Sequence, residues 1–98
     1  MIEILLNTII PKNNELNMPS AAKINFLKYQ KKYNAMNITN NFVYELNNIS
    51  LSNFKKEFIE LDENSRIKCL GLLRIKKIRL FTTFINHVFK AYYTDPIV

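Results

Sequence analysis

One glycine, Gly71, and three prolines among 98 residues leave this chain almost nothing with which to build tight hairpin turns. A β-sandwich or barrel of this length needs several such turns, so the composition directs the chain towards helices. The apolar spacing agrees. Ile2, Leu5, Leu6, Ile9 and Ile10 recur at i, i+3, i+4, i+7 and i+8, the stripe of an amphipathic helix. Pro11 stops that helix, because the residue before a proline is pushed out of the helical region. A chain this short buries roughly 60–65% of its unfolded surface, enough for one domain with one modest core. Its 48% apolar content places it outside the disordered class.

Residues 12–18 are polar and read as a loop, after which Ser20 is placed to cap a helix with its hydroxyl. A second helix is expected over about residues 21–35, where Ala22, Phe26, Tyr29 and Tyr33 alternate steps of four and three. Residues 34–41 read as a linker. Phe42, Val43 and Leu46 predict a short third helix, and Leu51, Phe54, Phe58, Ile59 and Leu61 a fourth. Asp62 is the next N-cap, with Glu63 favourably placed for the helix dipole. Ile67, Leu70 and Leu73 follow at steps of three, and Gly71 either closes this helix or permits close packing. The last helix is expected over about residues 75–93 and ends at Asp95-Pro96. The whole predicts an all-α bundle of four to six helices without a sheet, the last helix longest and best buried.

On a wheel at 100° per residue, Ile78, Phe81, Ile85, Val88, Phe89 and Tyr92 form one stripe of the last helix, facing a core. Leu80, Phe84 and Ala91 widen it on one side and Tyr93 on the other, to roughly 200° or more, about twice what a surface helix needs. Such a helix is either central and wrapped by the others or meets something besides its own core.

Composition gives +6 formal charge and a pI near 9.6, which in principle suits an acidic partner. Lysine outnumbers arginine, however, and Asn and Ile are abundant too, so a compositional bias with solvated cations accounts for the charge. Arg74-Ile75-Lys76-Lys77-Ile78-Arg79 is the densest basic run. Ile75 and Ile78, three apart, make it the start of an amphipathic helix, and no nucleic-acid-binding signature accompanies it.

Reactive groups are scarce. A single glycine excludes a Gly-rich phosphate loop. One histidine and one cysteine give four-ligand structural zinc no basis and exclude an internal disulfide. His87 falls on the polar side of the last helix and is expected to be solvated. Cys69 is expected to be a small buried apolar group, or else a thiol that pairs with a partner. Glu57 and Glu60 share a helix face, most simply a solvated one. No catalytic, cofactor-binding or metal-binding residue is therefore expected. No stretch approaches the roughly 18–20 apolar residues of a membrane span, and residues 1–10, with Glu3 in place of a basic start, do not read as a secretory signal.

In chain order, the motifs are Leu6-Asn7-Thr8-Ile9-Ile10-Pro11, Pro19-Ser20-Ala21-Ala22, Phe54 and Phe58 before Leu61-Asp62-Glu63-Asn64, Thr83-Phe84, and Tyr92-Tyr93-Thr94-Asp95-Pro96. Their series resembles the gluconate 2-dehydrogenase subunit 3 family. That family begins with a helix ending in an Ile-Pro step, continues to a Pro-(Gly/Ser)-Ala helix start, and closes on an aromatic helix running into Tyr-Tyr-(Ser/Thr)-(Asp/Asn)-Pro. The likeness spans about residues 5–98 and rests on the order and spacing of short motifs.

The resemblance implies a non-catalytic small subunit over residues 1–98. Its partner would be a large FAD-dependent dehydrogenase acting on sugars, sugar acids or polyols, often with a cytochrome c subunit. The small subunit would assist folding or export of the catalytic chain and would itself hold no cofactor. It also implies the periplasm. The family's usual twin-arginine signal does not precede the first helix here, which leaves a lost signal, an N-terminal fragment or a cytoplasmic member. The helix at Asp62 also lacks the family's proline after its cap. The residues expected to meet the partner are Phe84, Tyr92, Tyr93 and Pro96, with residues 11–20 as the other candidate surface. Rival readings are a free-standing helical interaction domain and a basic nucleic-acid-binding protein.

Overall fold

Five α-helices and two 3-10 turns make up the computed structural model, which describes residues 1–98. Helix α1 is Ile2–Ile9, α2 Phe26–Tyr33, α3 Met36–Phe54, α4 Glu63–Lys76 and α5 Ile78–Thr94, with 3-10 turns at Ala21–Lys23 and Phe58–Glu60. There is no sheet; the one extended pairing is an isolated bridge between Asn13 and Met18. The all-α expectation holds, with a helix count inside the expected range.

The core lies where α3 crosses α5. Phe42 stacks on Phe84 with ring centroids 4.1 Å apart, and Phe26 meets the Phe84 edge at 6.1 Å. Leu5 and Leu6 of α1, Cys69 and Leu73 of α4, and Phe58 complete this buried cluster. Helix α3 packs on both α4 and α5, while α2 packs on α5 and α1 on the Ala21–Lys23 turn.

Several expected boundaries move, each for a local reason. Ser20 does act as a cap, accepting from the Ala22 amide at 3.1 Å, but it caps only the 3-10 turn. Helix α2 starts at Phe26, where the Asn25 side chain accepts from the Lys28 amide at 3.1 Å. The expected linker at 34–41 is mostly the first turns of α3. Asn34 takes the left-handed conformation (φ 55°) that asparagine tolerates, and the chain restarts as a helix at Met36. Thr39, Phe42, Leu46 and Ile49 then point inward at steps of three and four, while Asn37, Asn40 and Asn41 are exposed. The expected third helix and the start of the expected fourth, through Phe54, are one helix of 19 residues, longer than the 17 of α5, while Phe58 and Ile59 fall in the second 3-10 turn. It ends at Lys55 (φ 60°).

Glu57 and Glu60 do not share a helix face. They cap the Phe58–Glu60 turn, the Glu60 carboxylate accepting from the Glu57 amide at 3.4 Å. Arg66 locks that turn from α4, donating to the Phe58 and Ile59 carbonyls at 3.3 and 2.7 Å. Asp62 caps α4 as expected, and the Ser65 amide bonded to its carboxylate at 2.7 Å holds the group below its ordinary range. Gly71 neither ends α4 nor permits a close approach: it sits mid-helix, exposed, with nothing within 4 Å of where a Cβ would be. The chain breaks instead at Lys77 (φ −136°), so Ile75 belongs to α4.

Candidate functional site

Both chain ends converge on one surface. Tyr92, 1% exposed near the end of α5, donates its hydroxyl to the Pro19 carbonyl. The Asp95 carboxylate accepts from the Asn25 amide at 3.0 Å, tying residue 95 to the start of α2. Ser20 donates to the Asn7 side chain at 2.6 Å, and the Ala21 amide donates to the Ile10 carbonyl at 2.9 Å. These bonds join the end of α1, the Pro19-Ser20-Ala21 segment and the last turn of α5 into a seam. Its polar side chains bond the backbone or the side chains of distant segments.

The loop between Pro11 and Met18 borders this seam. Asn13 and Met18 exchange both backbone hydrogen bonds, at 3.0 and 2.9 Å, and Asn17 (φ 54°) supplies the left-handed residue that glycine usually provides. Between loop and helix runs an open groove lined by Ile9, Ile10, Leu16, Met18, Phe89 and Tyr93, among others. Leu16 is 70% exposed, Tyr93 65% and Phe89 41%. Tyr93 is held by its neighbours, its ring stacked near Phe89 at 6.4 Å and edge-on to Tyr92 at 5.0 Å.

The wide apolar arc of α5 divides accordingly. Phe84, Val88, Ala91 and Tyr92 are its buried centre, whereas Ile78, Phe89 and Tyr93 form an exposed edge. The buried face is thus rotated from the expected stripe towards Phe84 and Ala91. The helix is partly wrapped, and one edge overhangs.

The four expected interface residues therefore separate. Phe84 is fully buried against Phe26 and Phe42 and cannot reach a partner in the folded chain. Tyr92 is also interior; burial first, and Tyr93 second, push its phenol up from the usual range. Tyr93 and Pro96 are exposed. Pro96 stands at the second position of a turn closed by the Val98 amide on the Asp95 carbonyl at 3.1 Å, where its fixed φ suits the geometry. It sets a turn and not an exit strand.

Two further residues depart from expectation. His87 is half-buried, not free in solvent. Its Nδ1 lies 2.8 Å from the Tyr29 hydroxyl, because α2 covers that side of α5. Burial, with Tyr33 behind it, raises the Tyr29 phenol. Gln30, 5% exposed on α2, keeps its Oε1 without a hydrogen-bond partner. Only its position beside Tyr29 and four after Phe26 could have marked it as inward-facing. Cys69 is fully buried and its thiol is pushed up by that burial, against a smaller opposing effect of a Ser50 hydrogen bond. A partner thiol cannot approach it.

No group of three or more His, Cys, Asp or Glu side chains is close enough to hold a metal ion. No helix is long and apolar enough to cross a membrane. No protein-family model, curated protein or solved structure significantly matches this chain. What the seam offers chemically is an apolar, aromatic-edged docking surface on a rigid base.

Proposed function

We propose that this chain is a non-catalytic small subunit of an FAD-dependent sugar, sugar-acid or polyol dehydrogenase. It assists the folding, export or stability of the catalytic flavoprotein, on the periplasmic side. In this reading FAD belongs to the large subunit, a cytochrome c subunit completes the complex, and this chain has no activity alone. The observation that carries the reading is the seam. The first and last motifs of the resemblance, 86 positions apart from Leu6 to Tyr92 in sequence, are neighbours in space: Ile9 and Ile10 of the first and Tyr93 of the last line one groove, together with Leu16 and Phe89 beside them. Tyrosine suits such a surface because its ring is apolar and its hydroxyl stays hydrated or bonded.

The test is whether a large flavoprotein reading frame lies beside its gene, as this reading expects, and co-expression with that frame followed by purification and a flavin spectrum. A stable yellow complex is expected, with dye-linked dehydrogenase activity absent from the small chain alone. Tyr93→Ala should weaken the complex by about 2 kcal/mol, roughly thirtyfold in affinity, while changing fold stability by less than about 0.5 kcal/mol. An unchanged affinity would remove the C-terminal edge from the interface. Leu16→Ser would then test the loop side of the groove. Co-purification of a partner without flavin would favour the second reading, a free-standing helical interaction domain, for which the same groove serves.

A further inference from the structure

A second surface, which uses none of the seam residues, lies at the break between α4 and α5. Leu72, Ile75 and Ile78 are 40%, 83% and 53% exposed there. All three line one open groove with Phe54, Lys68 and Arg74. Leu72 and Ile75 also line a neighbouring groove with Lys76, and with Asn53 of α3 they form the ridge between the two. The basic run expected to open a core-facing amphipathic helix is instead split over two helices, with both its isoleucines outside. Charge at this corner is almost unopposed. The sequence has no Asp or Glu between Glu63 and Asp95, and the one ion pair in the molecule, Lys77 to Glu45, is a loose 3.9 Å.

We propose that this corner docks on the surface of an anionic phospholipid bilayer. Ile75, at the ridge, enters the boundary between headgroups and acyl chains, while Arg74, Lys76 and Arg79 meet the headgroup phosphates. The two features reinforce each other: cations draw the corner to a negative surface, and an apolar apex gains only if it leaves water. A nucleic-acid backbone would reward the cations and leave three exposed aliphatics unburied, and the corner carries no exposed aromatic ring for base stacking. A convex ridge also fits a deformable lipid surface better than a preformed protein pocket.

The experiment is co-sedimentation of the full chain with vesicles of phosphatidylglycerol and phosphatidylcholine, and with phosphatidylcholine vesicles alone. The chain is expected to pellet with the mixed vesicles only, and less so as salt rises. Ile75→Ser, which leaves the charge unchanged, should lower the partition coefficient about tenfold without altering far-ultraviolet circular dichroism. Arg74→Gln combined with Arg79→Gln should weaken binding further than Ile75→Ser and flatten its salt dependence. Failure to pellet with anionic vesicles at low salt would overturn the proposal, as would wild-type partitioning of Ile75→Ser. Retention on duplex DNA tighter than on the vesicles, and insensitive to Ile75→Ser, would assign the corner to nucleic acid.

Discussion

The seam and the α4–α5 corner are built on opposite terms. At the seam, hydrogen bonds span 70 and 73 positions of sequence, from Asp95 to Asn25 and from Tyr92 to Pro19, and exposed Tyr93 leans edge-on against buried Tyr92. At the corner there is a backbone break without proline or glycine, a loose ion pair, and three aliphatic side chains exposed. The first surface is held in shape by the fold. The second has the loose Lys77–Glu45 pair as its one salt bridge, and its three aliphatic side chains stand out from it. A surface of the first kind suits a partner that must meet a fixed contour; one of the second kind can change side chains without cost to the domain.

That difference can be broken by substitution. Phe84→Ala removes the ring shared by α2, α3 and α5 and should cost about 3–5 kcal/mol, a large part of the total stability of a domain this size. Chemical unfolding would detect it, and a loss under about 1 kcal/mol would mean that the α3–α5 crossing is not the centre of the core. Tyr92→Phe should cost about 1 kcal/mol by deleting the bond to Pro19 while keeping the ring; an unchanged unfolding midpoint would sever the polar link from the integrity of the seam. Gly71→Ala, in exposed helix next to the corner, should stabilise by about 0.5–1 kcal/mol, since the methyl meets open space and the unfolded chain loses freedom. Destabilisation there would show that the corner is more constrained than its exposure indicates.

Sequence pattern revealed the helices wherever apolar periodicity and capping residues agreed. Ile2 to Ile9 before Pro11, and Asp62 opening α4, are of this kind. It misreads the start of α3, because Asn at 34, 37, 40 and 41 carries poor helix propensity that the contacts of Phe42 with Phe81 and Phe84 of α5 override. It places the break just before Ile75 and not at Lys77, because no proline or glycine marks the spot and only tertiary packing decides where the axis turns. At the candidate site Tyr93 was legible from the wheel. The rotation that buries Phe84 was not, since a 200° arc fixes no direction until its neighbours are known. His87 was read as solvated for a related reason: α2 covers a face that looks polar in isolation.

Closure of the seam has a consequence for synthesis. The carboxylate that satisfies the Asn25 amide and the phenol that satisfies the Pro19 carbonyl belong to the last seven residues of the chain. While the chain grows on a ribosome, made at roughly 5–20 residues per second, the Pro19 carbonyl and the Asn25 amide wait without these partners until residues 92–95 have emerged from the exit tunnel. The two long-range bonds of the seam thus close only after α5 has been made. A chain cut before Tyr92 would leave the Pro19 carbonyl and the Asn25 amide without these partners and open the seam to proteases and chaperones.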